Sequence, residues 1–499
     1  MRPPRRVALA SLPLALALSC AIPTGDRGGY RPEPWLEDLD ALEAHMGTAY
    51  ANLEWIVERR GLDLAALDRR TRGSIRAAGS GRDAHAALED FVAAFEDPHF
   101  GIERRRPRLI GWLLRLGGEG EEDAREETPE FEAGAPGREV CASFGYRDRD
   151  QDFEFEVGAL PQWSPLPSDG AFPAGVFEPR GDGVIGILRI EHFAENGYRT
   201  DCAQEWDAGS DGRTSPCGEE CLEEFRRRAS DALARRVARR VAELKAAGVE
   251  ALVVDVTGNG GGTEWVDPVT RIFSDRPLRA MRVTTVRHPR GVGPTSERLA
   301  AVEAGLADPA LPASTRALLT EARNRLAALL AEFRAPCDRS LMWDGRDPGC
   351  RQTIQGPSYV TGVFDWLPPG ALAGYVGRAE LYSPFTRDVP TGVWTGPLYV
   401  LADRGSASAT EAFVAMLKDN RAATVIGERT YGAGCGFTDG GLPLTLPNSR
   451  LEVWMPDCAR FRIDGTNEIE GIEPDVPLPW SDLGGSERAR VLVEVLSRR

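Results

Sequence analysis

An α/β fold with helices packed on a sheet is what this chain predicts, and three observations carry it. A long amphipathic helix, 219 to 247, ends at Gly248 and passes at once into VEALVVDV, an apolar run of the kind buried on both faces of a sheet. The alternation returns at 390 to 430, where the strand-like PLYVLA breaks at Asp403-Arg404-Gly405 and resumes as a helix with Ala409, Phe413, Met416 and Leu417 at helical spacing. Short connections join these elements, as in an α/β core. A length of 499 residues allows two or three domains.

Taken in order, the chain opens with Arg2, Arg5 and Arg6, then an apolar run from Val7 to Leu18, then Ser19 and Cys20. The run is too short to span a bilayer and reads as a signal peptide for export. Ala17-Leu18-Ser19-Cys20 resembles a bacterial lipobox, which makes Cys20 the acylated residue of an envelope lipoprotein, with plain secretion as the alternative. A tether follows over 21 to 34. From about Trp35 to Phe95, Leu36, Leu39, Leu42, Leu88, Phe91 and Val92 recur at helical spacing, so 35 to 100 reads as an N-terminal helical domain. Asp97-Pro98 ends its last helix, and His99 comes next.

Residues 101 to 180 read as an acidic linker, densest over 117 to 137, followed by a small β-rich segment over about Glu139 to Pro179. GVIGILRIEHF, 183 to 193, reads as a buried strand carrying His192 at its end. The core is expected over 181 to 485. A helical hairpin is inserted at 296 to 334, within an insertion reaching to about 350.

The net charge is −16 without a basic tract, which argues against nucleic acid as partner. Of the 60 basic side chains only Lys245 and Lys418 are lysines. With Cys20 set aside for lipid, eight of the nine cysteines remain, enough for four bridges in an oxidising compartment. Cys337 with Cys350 and Cys435 with Cys458 would close loops of sensible size. Cys217 and Cys221 lack the partners a zinc site needs, and no cofactor is expected.

Two turns invite chemistry. Ser406 or Ser408 caps the helix that follows, or Ser408 presents a hydroxyl at its N-terminus, where backbone N–H groups stabilise an anion. The other turn is TGNGGG, 257 to 262. It lacks the Lys of a phosphate loop and fits a dinucleotide fingerprint only by shifting the frame, whereas its glycines allow backbone N–H groups to approach a ligand oxygen.

DVTGNGGG, SATE at 408 to 411, GERTYGAG at 427 to 434 and EGIEPD at 470 to 475 occur in this order. Together they resemble the carboxyl-terminal processing peptidases and their tricorn-like relatives. That resemblance implies a serine peptidase acting on protein or peptide, with a crotonase-like ββα spiral core, and it places the nucleophile at Ser408. Tail-specific members use a Lys base where this chain has Ala433. Lys418 lies about 15 Å along the nucleophile's own helix, and Lys245 closes another helix.

The tricorn-like branch uses Ser, His and Glu. Asp97-Pro98-His99 resembles its His motif, which makes His99 the general base, with His192 and His288 as competitors. Glu470 matches the acid that orients the imidazole, with Glu468 and Glu411 as substitutes. The implied oxyanion hole takes one N–H from Gly261 or Gly262 and the other from Ala409. The rival expectations are an inactive relative that binds peptides or apolar ligands and, less compatible with EGIEPD, an acyl-CoA enzyme sharing the spiral core. No peptide-tail-binding loop is evident between 101 and 180.

Overall fold

A computed structural model describes residues 29–104, 131–132, 134–149, 151–179, 183–210, 216–262, 265–335, 337–358, 361–438 and 441–497. The expected signal peptide with Cys20, and most of the expected acidic linker, lie outside the described residues.

Three amphipathic helices open the described chain: α1 Glu33–Ala49, α2 Leu64–Ala77 and α3 Gly81–Ala93. Asp63 caps α2 by accepting from Ala66 N at 2.8 Å, and Ser80 caps α3 by accepting from Asp83 N at 3.3 Å. Leu39, Leu42, Met46, Leu88, Phe91 and Phe95 are fully buried. They pack with Leu446, Leu451, Val453, Met455 and Ile469 from the far end of the chain. The helical N-terminal part therefore shares one core with the segment 446 to 469.

The strands are β1 Gly101–Arg104, β2 Ser164–Pro165, β3 Ala174–Phe177, β4 Ile185–Arg189, β5 Ala251–Asp255, β6 Arg282–Val286 and β7 Thr353–Gln355. They continue as β8 Leu398–Ala402, β9 Thr424–Gly427, β10 Leu444–Thr445, β11 Leu451–Trp454, β12 Cys458–Phe461 and β13 Val476–Pro477. The main sheet runs β13-β9-β8-β5-β4-β3-β2, parallel from β13 to β4 and antiparallel beyond. Helices α4 Glu219–Ala246 and, at the other end of the core, α7 Ala409–Asp419 cover one face. The helix Gly485–Leu496 and Trp480 cover the other. Coverage on both sides explains why β5 is apolar without alternation, and all five of its residues are buried.

Two small sheets, β1-β11-β10 and β12-β6-β7, flank the main one. Through β1 the N-terminal part pairs in register with β11, Gly101 opposite Trp454. The expected helical hairpin is present as α5 Val292–Leu306 and α6 Ala313–Phe333, packed on Phe364 and Leu381. Among the described residues no helix is long and apolar enough to cross a membrane.

The β-rich reading of 139 to 179 needs correction. Gly137–Ser143 is a helix, and β2 and β3 are short strands that extend the main sheet through antiparallel pairing of β3 with β4. A satellite core explains the helix. Val140 and Cys141 bury against Trp206 and Phe225, and a disulfide ties Cys141 to Cys202. Cys217 bonds Cys221, and the expected pairs Cys337–Cys350 and Cys435–Cys458 are both formed.

Candidate active site

The site begins where β8 turns into α7. Asp403 closes that turn by accepting Gly258 N at 2.8 Å and Gly405 N at 3.0 Å through Oδ1. Ser406 is wholly buried: its hydroxyl donates to Val256 O at 2.8 Å and accepts Asp403 N at 3.1 Å. Ser406 is thus a brace between β8 and the glycine-rich turn, and its oxygen is committed.

Ser408 is different. Its backbone sits at φ 55°, ψ −114°. Ser408 is the N-cap of α7 and shares a capping box with Glu411, yet its backbone lies outside the extended region usual for a cap. A non-glycine residue at positive φ costs about 1–3 kcal/mol, held only where its surroundings over-determine it. Three contacts do so here. Ser408 N donates to Glu411 Oε2 at 3.0 Å, Ala407 N donates to Asn259 O at 2.9 Å, and Ser408 O accepts Arg460 Nη2 at 2.7 Å.

Glu411 is the hub of the site. Fully buried, it also accepts Thr430 Oγ1 at 2.6 Å, Gly432 N at 2.7 Å, Ala433 N at 2.8 Å and Gly434 N at 3.3 Å. One carboxylate therefore fixes the Ser408 turn and the loop 430–434 to each other. The Ala433 carbonyl then takes His99 Nδ1 at 2.8 Å. A carbonyl only accepts, so Nδ1 carries the proton and Nε2 keeps its lone pair.

His99 is held from behind. Asp97 Oδ1 accepts His99 N at 3.0 Å, while Oδ2 accepts Tyr50 Oη at 2.9 Å and Asn52 Nδ2 at 2.8 Å. Burial pushes the Asp97 carboxyl up, and these donors pull against it. Asn52 Oδ1 in turn accepts Asn467 Nδ2 at 2.9 Å, which joins α1's exit to the segment before Glu470. On the ring's other side a side chain at Gly436 would lie 3.2 Å from His99 Cε1 and Nε2, so glycine lets the loop pack against the imidazole. Phe437 meets the ring edge-on at 5.6 Å. The Cys435–Cys458 bridge anchors this loop to β12.

Glu470 does not fill its expected place. Its Oε1 accepts Trp55 Nε1 at 2.7 Å and Arg60 Nε at 2.8 Å, and no hydrogen bond or ion pair joins it to His99. The reason is competition: Arg60 offers a charge-assisted bond and also donates to Phe95 O at 3.0 Å, Glu96 O at 3.1 Å and Ile469 O at 2.7 Å. Glu470 thereby steadies the strand of chain leading into His99, and Ala433 O contacts the imidazole in its stead. The substitute Glu468 is buried in an ion pair with Arg460. Burial pushes its carboxyl up to about 7 against the pull of Arg460, with the nearby Glu411 adding to the rise.

The competing histidines are tied elsewhere. His192 Nδ1 faces Ala194 O at 3.0 Å and its Nε2 faces Gln151 Nε2 at 2.8 Å. His288 accepts Arg290 N at 3.3 Å. Lys418 pairs with Asp475, and Lys245 reaches Val393 O at 3.4 Å.

The glycine turn abuts Ser408. A Cβ at Gly261, φ 99°, would lie 2.8 Å from Ser408 Cβ and 2.9 Å from Ala409 N, so only glycine fits. Its N–H, however, donates to Asn259 Oδ1 at 2.9 Å, which removes Gly261 as an oxyanion donor. The amides of Gly262 and Ala409 make no hydrogen bond among the described residues. Sequence reasoning missed Arg460, the Ala433 carbonyl and Asn259. Of these only Asn259, inside the glycine motif, carried a local signal.

Residues 185–478 match the profile of peptidase family S41. Carboxyl-terminal-processing peptidase 2, chloroplastic, of Arabidopsis thaliana is 33% identical over 125 residues, 23% of this chain and 22% of that protein. The carboxyl-terminal-processing protease of Synechocystis sp. is 38% identical over 69 residues, 14% of this chain and 16% of that one. The matches thus span less than a quarter of either relative. Mature CPAF complexed with lactacystin superposes with a TM-score of 0.56 at 16% identity, covering 94% of this chain and 98% of that one. Mature CPAF gives 0.53 at 17% identity over 93% and 96%. At such identity the likeness is one of fold.

Proposed function

Since the chain belongs to peptidase family S41, a family of serine peptidases, we propose that it is an exported endopeptidase in which Ser408 attacks the peptide carbonyl and His99 is the base. The observation that carries this is the Ser408 backbone, held at φ 55° at a strand–turn–helix junction. It is linked to His99 through Glu411 and Ala433. The family profile does not include His99.

His99 Nε2 takes the Ser408 proton as Oγ bonds to the carbonyl carbon, and the carbonyl oxygen becomes an oxyanion between the amides of Ala409 and Gly262. One such donor is worth roughly 3 kcal/mol in the transition state. His99 then gives the proton to the leaving amine, and water attacks the acyl-enzyme by the same route in reverse. The Ala433 carbonyl keeps Nδ1 protonated and stabilises the imidazolium in part. Glu470 acts at one remove, through Arg60, as a positioning group.

Four disulfides among the described residues and the signal-like N-terminus support an oxidising compartment outside the cytoplasm. Cys20 is the proposed lipid anchor. The substrate is an unfolded protein or peptide, threaded between the glycine turn and the loop that carries the exposed Tyr431 and Phe437. Ser408→Ala and His99→Ala should each abolish cleavage of reduced, unfolded casein, and Ser408→Ala should abolish fluorophosphonate labelling. Labelling that survives in Ser408→Ala overturns the assignment.

A further inference from the structure

Arg460, on β12, is 2% exposed, and it ion-pairs with the fully buried Glu468. Its Nη2 donates to the Ser408 carbonyl at 2.7 Å, an oxygen that also accepts Ala412 N at 3.2 Å. A buried ion pair of this kind adds little to stability, because desolvation offsets the attraction. Its placement needs another account.

The Ser408 carbonyl and the Ala409 N–H are two ends of one peptide plane. We propose that Arg460 is a positioning residue for the oxyanion hole, fixing and polarising the 408–409 peptide so that the Ala409 N–H is aimed at the developing oxyanion. This rests on the reading of Ser408 as nucleophile. Two physical effects combine. A cation at the carbonyl oxygen draws electron density through the amide and makes the N–H at the other end a stronger donor. The same contact resists rotation of the plane, which the strained backbone at Ser408 would otherwise favour. Donors that are already oriented need no reorganisation when charge develops.

Glu411 holds the amide on the other side of Ser408, so the two buried charged groups grip the residue from both ends. Glu468 serves Arg460 by holding the guanidinium in plane. The Cys435–Cys458 bridge fixes the strand that carries it.

The test compares full-length wild type with Arg460→Lys and with the double variant Arg460→Met, Glu468→Gln. The double variant avoids an unpaired buried carboxylate, and the Lys variant keeps the charge if the double variant does not fold. The readouts are kcat and KM on a fluorogenic peptide cut from casein, and the inhibition constant of the aldehyde of the same peptide. The expected result is a fall in kcat of roughly 10- to 100-fold, less than complete loss of one donor. Aldehyde affinity should weaken by a similar factor, with KM within about threefold, since the interaction is made to the transition state. Unchanged kcat and aldehyde affinity, or a loss carried by KM, overturns the proposal. Ser408→Ala separates the two levels: activity retained there removes the underlying reading. An inactive Ser408→Ala beside fully active Arg460 variants removes only the role of Arg460.

Discussion

Ser408→Gly should make the protein more stable than wild type while abolishing its activity. Ser408 stands at φ 55°, ψ −114°, outside the regions open to L-residues with a Cβ. Relief of that strain is worth about 1–3 kcal/mol, and the extra freedom of glycine in the unfolded chain takes back about 0.5–1 kcal/mol. A net gain of about 1 kcal/mol remains. With an unfolding entropy of about 2.1 cal/mol/K per residue, a chain of 499 residues changes its Tm by about 1 °C for each kcal/mol. Differential scanning calorimetry of the full chain, at one pH and one scan rate, resolves such a shift. Ser408→Ala, which keeps the Cβ, should melt at or below wild type. Ser408 is also the N-cap of α7, and replacing a capping serine by glycine costs a further few tenths of a kcal/mol, which leaves the net gain positive. A Tm for Ser408→Gly at or below wild type therefore refutes the strain.

Other substitutions separate roles within the site. Ser406→Ala should lose about 1–2 kcal/mol, because Val256 O and Asp403 N are left without the hydroxyl that joins them, yet fluorophosphonate labelling at Ser408 should persist. Glu470→Gln should lower kcat/KM by less than about tenfold, since Glu470 contacts Arg60 and Trp55. A loss near the roughly 10⁴-fold seen when a serine-protease triad acid is neutralised would place it on His99 after all. Burial, with Arg149 adding, lowers the His192 imidazole to about 4. Because the unfolded chain binds that proton below about pH 6.5, stability should fall between pH 6.5 and 4, by about 2 kcal/mol after allowance for solvent screening. His192→Gln should flatten that part of a Tm-against-pH curve; an unchanged slope excludes His192 as its source.

The α/β core was legible because its signals are local. β5 and α7 announce themselves by runs and periods, and the two turns they frame are where the candidate site lies. Legibility ended where the deciding contacts join distant segments or use the backbone. Ala433 drew attention as a side chain unable to accept a proton, while its carbonyl, which has no sequence signature, is what holds His99. Glu470 was matched by motif, but its partners Arg60 and Trp55 lie 410 and 415 residues away. Arg460 is one arginine among dozens. The helix at Gly137–Ser143 packs on Trp206 and Phe225 and is tied by the Cys141–Cys202 bridge, and spacing alone left the pairing of those cysteines open.

The proposed nucleophile and base, Ser408 and His99, lie far apart along the chain, yet they answer to one set of buried charges. Glu411 fixes Ser408 N and Ala433 N, and Ala433 fixes the ring of His99. Asp97, braced by Tyr50 and Asn52, fixes the backbone of His99, and Asn52 meets Asn467. None of these groups reaches both Ser408 and His99. The site therefore exists only when the N-terminal helices are packed on 446 to 469, the contact that buries Leu451, Val453 and Ile469 with Phe91 and Phe95. Packing of apolar surface, not affinity between Ser408 and His99, supplies the free energy that assembles them.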